Sequence, residues 1–155
     1  MAGSVTARLA ELGLELPPAH PPVATYVGWA ITGRQIWVSG QGPVWGQEIR
    51  HAGTVGAELD LEQGRAAARL TALNLLAQAS EALAGDLDRI SRCVKVFGLV
   101  NAAPGFLDAH RVIDGASDLI VDVLGPAGRH ARAAVTAPAL PMGIAVELDA
   151  VFDFT

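Results

Sequence analysis

Arg132 and Glu147 are the two side chains whose types and placement best suit chemistry. They fall in two strand-like runs, 131–138 and 144–153, that flank the tight Leu140-Pro141-Met142-Gly143 connection. Period-two alternation puts Ala131, Ala133, Val135 and Ala137 on one face of the first run, and Arg132, Ala134, Thr136 and Pro138 on the other. Arg132 therefore projects from a face of small residues. In the second run Ile144, Val146, Leu148, Ala150 and Phe152 make an apolar face, with Glu147, Asp149 and Asp153 opposite. A guanidinium does not lose its proton and, when buried, needs an anionic or strongly accepting partner. A two-pronged grip on a small carboxylate meets that need; so does an ion pair with Glu147 or Asp149. The two runs are expected to be paired or nearby strands, with guanidinium and carboxylate close together.

Other chemistries find less support. His20, His51, His110 and His130 show no metal-ligand spacing and Cys93 is the single cysteine, so no metal site is expected. Ser39 sits in Val-Ser-Gly-Gln without the flanking glycines of a nucleophile elbow. Cys93, inside a strand pattern, reads as a small buried hydrophobe. Gly40, Gly42 and Gly46 are too loosely spaced for a phosphate loop, and no helix follows them directly.

The elements that must position these residues follow from periodicity. Ser4 to Leu12 reads as a short amphipathic helix stopped by Gly13, and Pro17 to Pro22 forces an extended lead-in. Strands are expected over 23–31 and 35–39, joined as a hairpin through Thr32-Gly33-Arg34. Residues 40–56, with five glycines, read as a long loop in which Trp45 is a hydrophobic plug or, alternatively, a lid over a site. Asp60 with Gln63 opens a long helix that Gly85 closes. Its Ala66, Leu70, Leu73, Ala77 and Leu83 are expected to cover a sheet, and Arg65, Arg69, Asn74, Gln78 and Glu81 to face mainly solvent. A central strand follows over 93–101, then a helix over 106–124 that Asp114-Gly115 could split. The order β-β-α-β-α-β-β is an α+β class: a mixed sheet with two helices packed on one face.

With 155 residues, one domain is expected over 1–155, residues 1–16 forming a helical extension and 17–155 the core. Eleven basic against sixteen acidic residues give a net charge of −5, which argues against a nucleic-acid or anionic-membrane surface. The lone cysteine suits a reducing compartment, and neither a leader pattern nor a membrane-length apolar run is visible. A soluble cytoplasmic protein is expected. The 51% hydrophobic fraction hints at buried contacts between subunits.

The order Arg132-x-x-Val135, Leu140-Pro141 and Val146-Glu147-x-x-Ala150 resembles the C-terminal signature of the Rid family, the reactive-intermediate (imine/enamine) deaminases also grouped as YjgF-type proteins. Tyr26, the run Val38-Ser39-Gly40-Gln41-Gly42-Pro43 and the alanine-rich helix after residue 60 fit the same pattern in the same order. The resemblance covers residues 22–153 and implies a chorismate-mutase-like trimer with ligand clefts between subunits. It also implies hydrolysis of 2-imino or enamine acids to 2-oxo acids and ammonia, without metal or organic cofactor. On this resemblance Arg132 grips the substrate carboxylate and Glu147 attends the reacting water. Tyr26 covers the ligand, Ser39 and Gly40 meet the substrate end, and His110 stands where the family usually has asparagine. Ala134 replaces a frequent cysteine, which leaves the side-chain end of the site and the reaction itself open. Two rivals accompany this expectation: a non-catalytic binder of small carboxylates using the same cleft, and the endoribonuclease activity attached to the family by name.

Overall fold

The long helix α2 (Leu61–Ala82) organises the packing in a computed structural model that describes residues 4–155. Asp60 opens it with a capping box: its carboxylate accepts from the Gln63 N–H at 2.8 Å, and the Gln63 side chain accepts from the Asp60 N–H, also at 2.8 Å. Ala84 and Gly85, both at positive φ, close it. A single apolar stripe is not what the helix presents. Every residue from Thr71 to Ala79 is buried while Ala66 is exposed, because α2 is enclosed by the sheet, by α3 and by the chain entering the sheet. Asn74 and Gln78, expected to face solvent, hold that third flank. The Asn74 Nδ2 lies 3.2 Å from the Gly42 carbonyl and 2.8 Å from that of Val44, and the Gln78 Nε2 donates to the His20 carbonyl at 2.7 Å.

Numbered in chain order, the strands are β1 (Trp29–Thr32), β2 (Gln35–Gln41), β3 (Val44–Trp45), β4 (Glu48–Ile49), β5 (Ile90–Asn101), β6 (Ala131–Ala137) and β7 (Val146–Phe154). Five make one mixed sheet in the order β1-β2-β7-β5-β6, and β3 with β4 forms a small separate hairpin inside the glycine-rich loop. The first strand is shorter than expected. Residues 23–28 are irregular, and they reach β2 through single bonds such as Ser39 N–H to the Gly28 carbonyl at 2.9 Å.

The other helices are α1 (Val5–Glu11), capped by the Ser4 hydroxyl, and α3 (Ala109–Leu124), which starts three residues later than its periodicity suggests. Of the expected 1–16 extension, residues 1–3 lie outside the described residues. Asp114-Gly115 does not break α3, for a reason of packing: a Cβ on Gly115 would collide with the Arg65 backbone carbonyl of α2. The glycine is where the two helices touch. No helix among the described residues is long and apolar enough to cross a membrane.

The main correction concerns the last two strands. β6 pairs parallel with β5, and β7 pairs antiparallel with both β5 and β2, so β5 lies between β6 and β7. α2 and α3 cover one sheet face, which carries Val96, Val100, Leu148 and Ala150. The opposite face presents Trp37 (52% exposed) and Val135 (42% exposed), together with Phe97, Leu99, Glu147 and Asp149.

Candidate functional site

Glu147 stands near the start of β7, beside the point where β2 shifts register between Val38 and Gln41. That irregularity brings Gly40 against it so closely that a Cβ on Gly40 would collide with the Glu147 carboxylate. Together with Tyr26, they line a cleft of about 300 Å³ at the end of the sheet. The chain 20–23 forms one wall of this cleft and Pro141, Met142 and Ile144 another. Burial raises the Glu147 pKa from its ordinary value, and the neighbouring Asp149 charge adds to the rise. Among the described residues the Glu147 side chain makes no hydrogen bond and no ion pair. It is a half-buried carboxylate facing a cleft.

Tyr26 is half-exposed at the mouth, with only a 3.5 Å contact from the Val23 N–H to its hydroxyl. Ser39 does not line the cleft. Its hydroxyl donates to the Val27 carbonyl at 2.6 Å, so it fastens the irregular segment before β1 to β2. Trp45 also lies outside the cleft wall, half-buried under the Arg50 guanidinium 4.9 Å from its ring centroid, and Val44 supplies the buried side chain there.

Arg132 is elsewhere. In register with Val96, it points from the edge strand β6 toward the helix side, whereas Glu147, in register with Leu99, points to the opposite face. Two strand spacings, about 10 Å, separate β6 from β7. Its ion-pair partner is therefore neither Glu147 nor Asp149 but Asp114 on α3: Nη1 donates to Asp114 Oδ1 at 2.9 Å and to Ser117 Oγ at 3.1 Å. Nη2 donates to the His110 carbonyl at 3.2 Å. His110 thus touches the arginine through its backbone, and its ring is exposed. Three of the five guanidinium N–H donors are taken. Nε and one Nη2 hydrogen are left for a further acceptor.

A relay that the sequence gave no reason to single out stands behind Arg132. The His130 Nδ1 lies 2.7 Å from the Gly128 carbonyl, which can only accept, so Nδ1 carries the proton and Nε2 accepts from the Ser117 hydroxyl at 3.0 Å. Burial lowers the His130 pKa and Arg132 lowers it further, against the Gly128 bond. The neutral ring turns the Ser117 oxygen toward Arg132 as an acceptor. Asp114 and Ser117, three apart on one face of α3, were the available signal, but nothing in the sequence shows that this face meets β6. Cys93 is buried, with its thiol pushed up to about 12, and takes no part. No group of three or more potential metal ligands occurs among the described residues.

Residues 6–153 match the family described as "YjgF/chorismate mutase-like, putative endoribonuclease". Protein TCP17 of Trypanosoma cruzi is 45% identical over 153 residues, spanning 98% of this chain and 95% of its own length. The crystal structure of Atu1372 from Agrobacterium tumefaciens, a protein of unknown function, is 45% identical, with a TM-score of 0.91 over 97% of this chain and 92% of that one. A Shewanella oneidensis protein described as a "putative endoribonuclease" is 32% identical with a TM-score of 0.94 over 98% of this chain and all of its own. TdcF of Escherichia coli, solved with bound serine, shares the fold at 20% identity and a TM-score of 0.63, over 90% of this chain and 94% of that one.

Proposed function

The chain belongs to the YjgF/chorismate-mutase-like family, and from that premise we propose that it hydrolyses 2-imino and enamine acids to 2-oxo acids and ammonia, as a homotrimer with its sites between subunits. The observation that carries this reading is the unpaired, half-buried Glu147 carboxylate on the wall of a small cleft, its pKa raised. Within one chain Arg132 cannot reach that cleft, because it leaves the sheet on the other face and two strands away. A neighbouring subunit packed on the uncovered sheet face would supply it, and the exposed Trp37 and Val135 give that face reason to be covered.

In this scheme the Nε and remaining Nη2 hydrogens of one subunit's Arg132 hold the substrate carboxylate. Tyr26, Gly40 and Glu147 of the next subunit enclose the C=N group. Glu147 takes a proton from water as the oxygen bonds to the imine carbon, the C=N electron pair moves to nitrogen, and Glu147 returns the proton there. In the carbinolamine Glu147 then carries the hydroxyl proton to nitrogen as the C–N bond breaks and the C=O bond forms, so that ammonia leaves and Glu147 ends as it began. Positioning and a polarised environment are sufficient for a substrate this labile, and the scheme draws on no metal or organic cofactor.

The endoribonuclease description of the relatives gives a second reading. A net charge of −5 and an acidic group in the cleft weigh against it, since phosphate contacts supply most nucleic-acid affinity. The test is to add the protein to a system generating 2-iminopropanoate or 2-iminobutanoate and to follow 2-oxo acid release. Acceleration that disappears in Glu147→Gln is the expected result. An unchanged rate with retained 2-oxo acid binding would leave a non-catalytic carboxylate binder instead.

A further inference from the structure

We infer that the cleft selects 2-imino acids whose side chain is apolar and of isobutyl size or larger over those carrying only methyl or ethyl, an inference that rests on the catalytic reading above. The cleft holds about 300 Å³, enough for an organic ligand of several heavy atoms. Its acidic group, Glu147, stands on one wall, where the reacting carbon must lie. Away from it the floor is Val44 (7% exposed) and Ile144 (4% exposed). Gly42 keeps that floor open, because a Cβ there would sit 3.0 Å from the Ile144 Cδ1 and push it aside.

Large apolar side chains stand at the rim as well, beside the polar His20 and Gln41 of the lining. Val23 (68% exposed), Tyr26 (48%) and Met142 (64%) surround the mouth. Met142 holds a left-handed backbone, φ 60, that glycine would adopt without strain, so the site carries a large apolar side chain where local geometry disfavours one. A methyl group would leave the exposed Val23 and Met142 side chains at the rim in contact with water. An isobutyl or benzyl group would cover part of them, each added methylene strengthening binding about fourfold.

The test uses the intact protein and the stable 2-oxo acid products as probes, with affinities measured by calorimetry. Across 2-oxopropanoate, 2-oxobutanoate and 4-methyl-2-oxopentanoate, the last should bind at least about tenfold more tightly than the first. Met142→Ser should shrink that preference, weakening 4-methyl-2-oxopentanoate more than 2-oxopropanoate; an unchanged ratio would count against the apolar rim as its source. Equal or weaker binding of the branched acid, with short imines still hydrolysed, overturns the selectivity and leaves the catalytic reading standing. If no 2-oxo acid binds and no imine is hydrolysed, the catalytic reading fails and the selectivity fails with it.

Discussion

Arg132 and Glu147 differ in what holds them, and their substitution should separate accordingly. Arg132 is paired with Asp114 in a partly exposed bridge, with side chains 23% and 42% accessible. Exposed pairs of this kind contribute up to about 1 kcal/mol. Arg132→Ala should therefore lower the melting temperature by only about 2–4 °C. The same change should cost about 3 kcal/mol in kcat/KM, roughly 100-fold, if two charge-assisted bonds to a substrate carboxylate are lost. A collapse of stability without a specific kinetic effect would make the arginine structural. For Glu147 the folded-state pKa is raised by burial and by Asp149. Its favourable contribution is present below the ordinary carboxylate pKa and is lost as pH rises through the folded value. Glu147→Gln should thus be more stable than the parent at neutral pH, with the difference vanishing in acid. Thermal melts at pH 4 and pH 7.5 check the sign.

Among the elements, α2 and α3 touch closely at Gly115. Gly→Ala inside an exposed helix ordinarily gains about 1 kcal/mol. At Gly115 the added methyl meets the Arg65 backbone rather than a flexible side chain, so the helices must part. Gly115→Ala should destabilise by about 1–3 kcal/mol. It should also loosen Arg132, because Asp114 and Ser117 ride on α3. Denaturant unfolding measures the first effect, and a rise in the KM for imine substrate the second. An unchanged midpoint would show that the helices have room to separate.

For the whole molecule, the separation of Arg132 from Glu147 makes the assembly testable through function. Arg132→Ala and Glu147→Gln chains should each be inactive. Dissociated, mixed in equal amounts and reassembled, they should regain activity, because about a quarter of the interfaces would join an intact Arg132 to an intact Glu147. The assembled protein should have about three times the 16.0 kDa chain mass by light scattering. Failure of the mixture to recover, with trimers formed, would place both residues in one subunit's site or in none.

Local and periodic signals made much of this legible in advance. The Asp60–Gln63 cap, the Gly85 stop, the alternation along β5 and β7, and the α+β order all depend on residues a few positions apart, so the sequence carries them directly. Side-chain type and strand alternation singled out Arg132 and Glu147, and family resemblance added Tyr26, Ser39, Gly40 and His110 as candidates. Strand order is a matter of long-range pairing. That β5 inserts between β6 and β7 depends on a parallel crossover through α3, and in this placement Arg132 and Glu147 stand on opposite faces. The same holds for Asn74 and Gln78, whose polarity predicted solvent and whose partners, the carbonyls of Gly42, Val44 and His20, lie more than 25 residues away along the chain. Amino-acid types settled which groups could act and on which side of each strand they stand; tertiary structure decided which of them meet, because contacts across the sheet leave no period in the sequence.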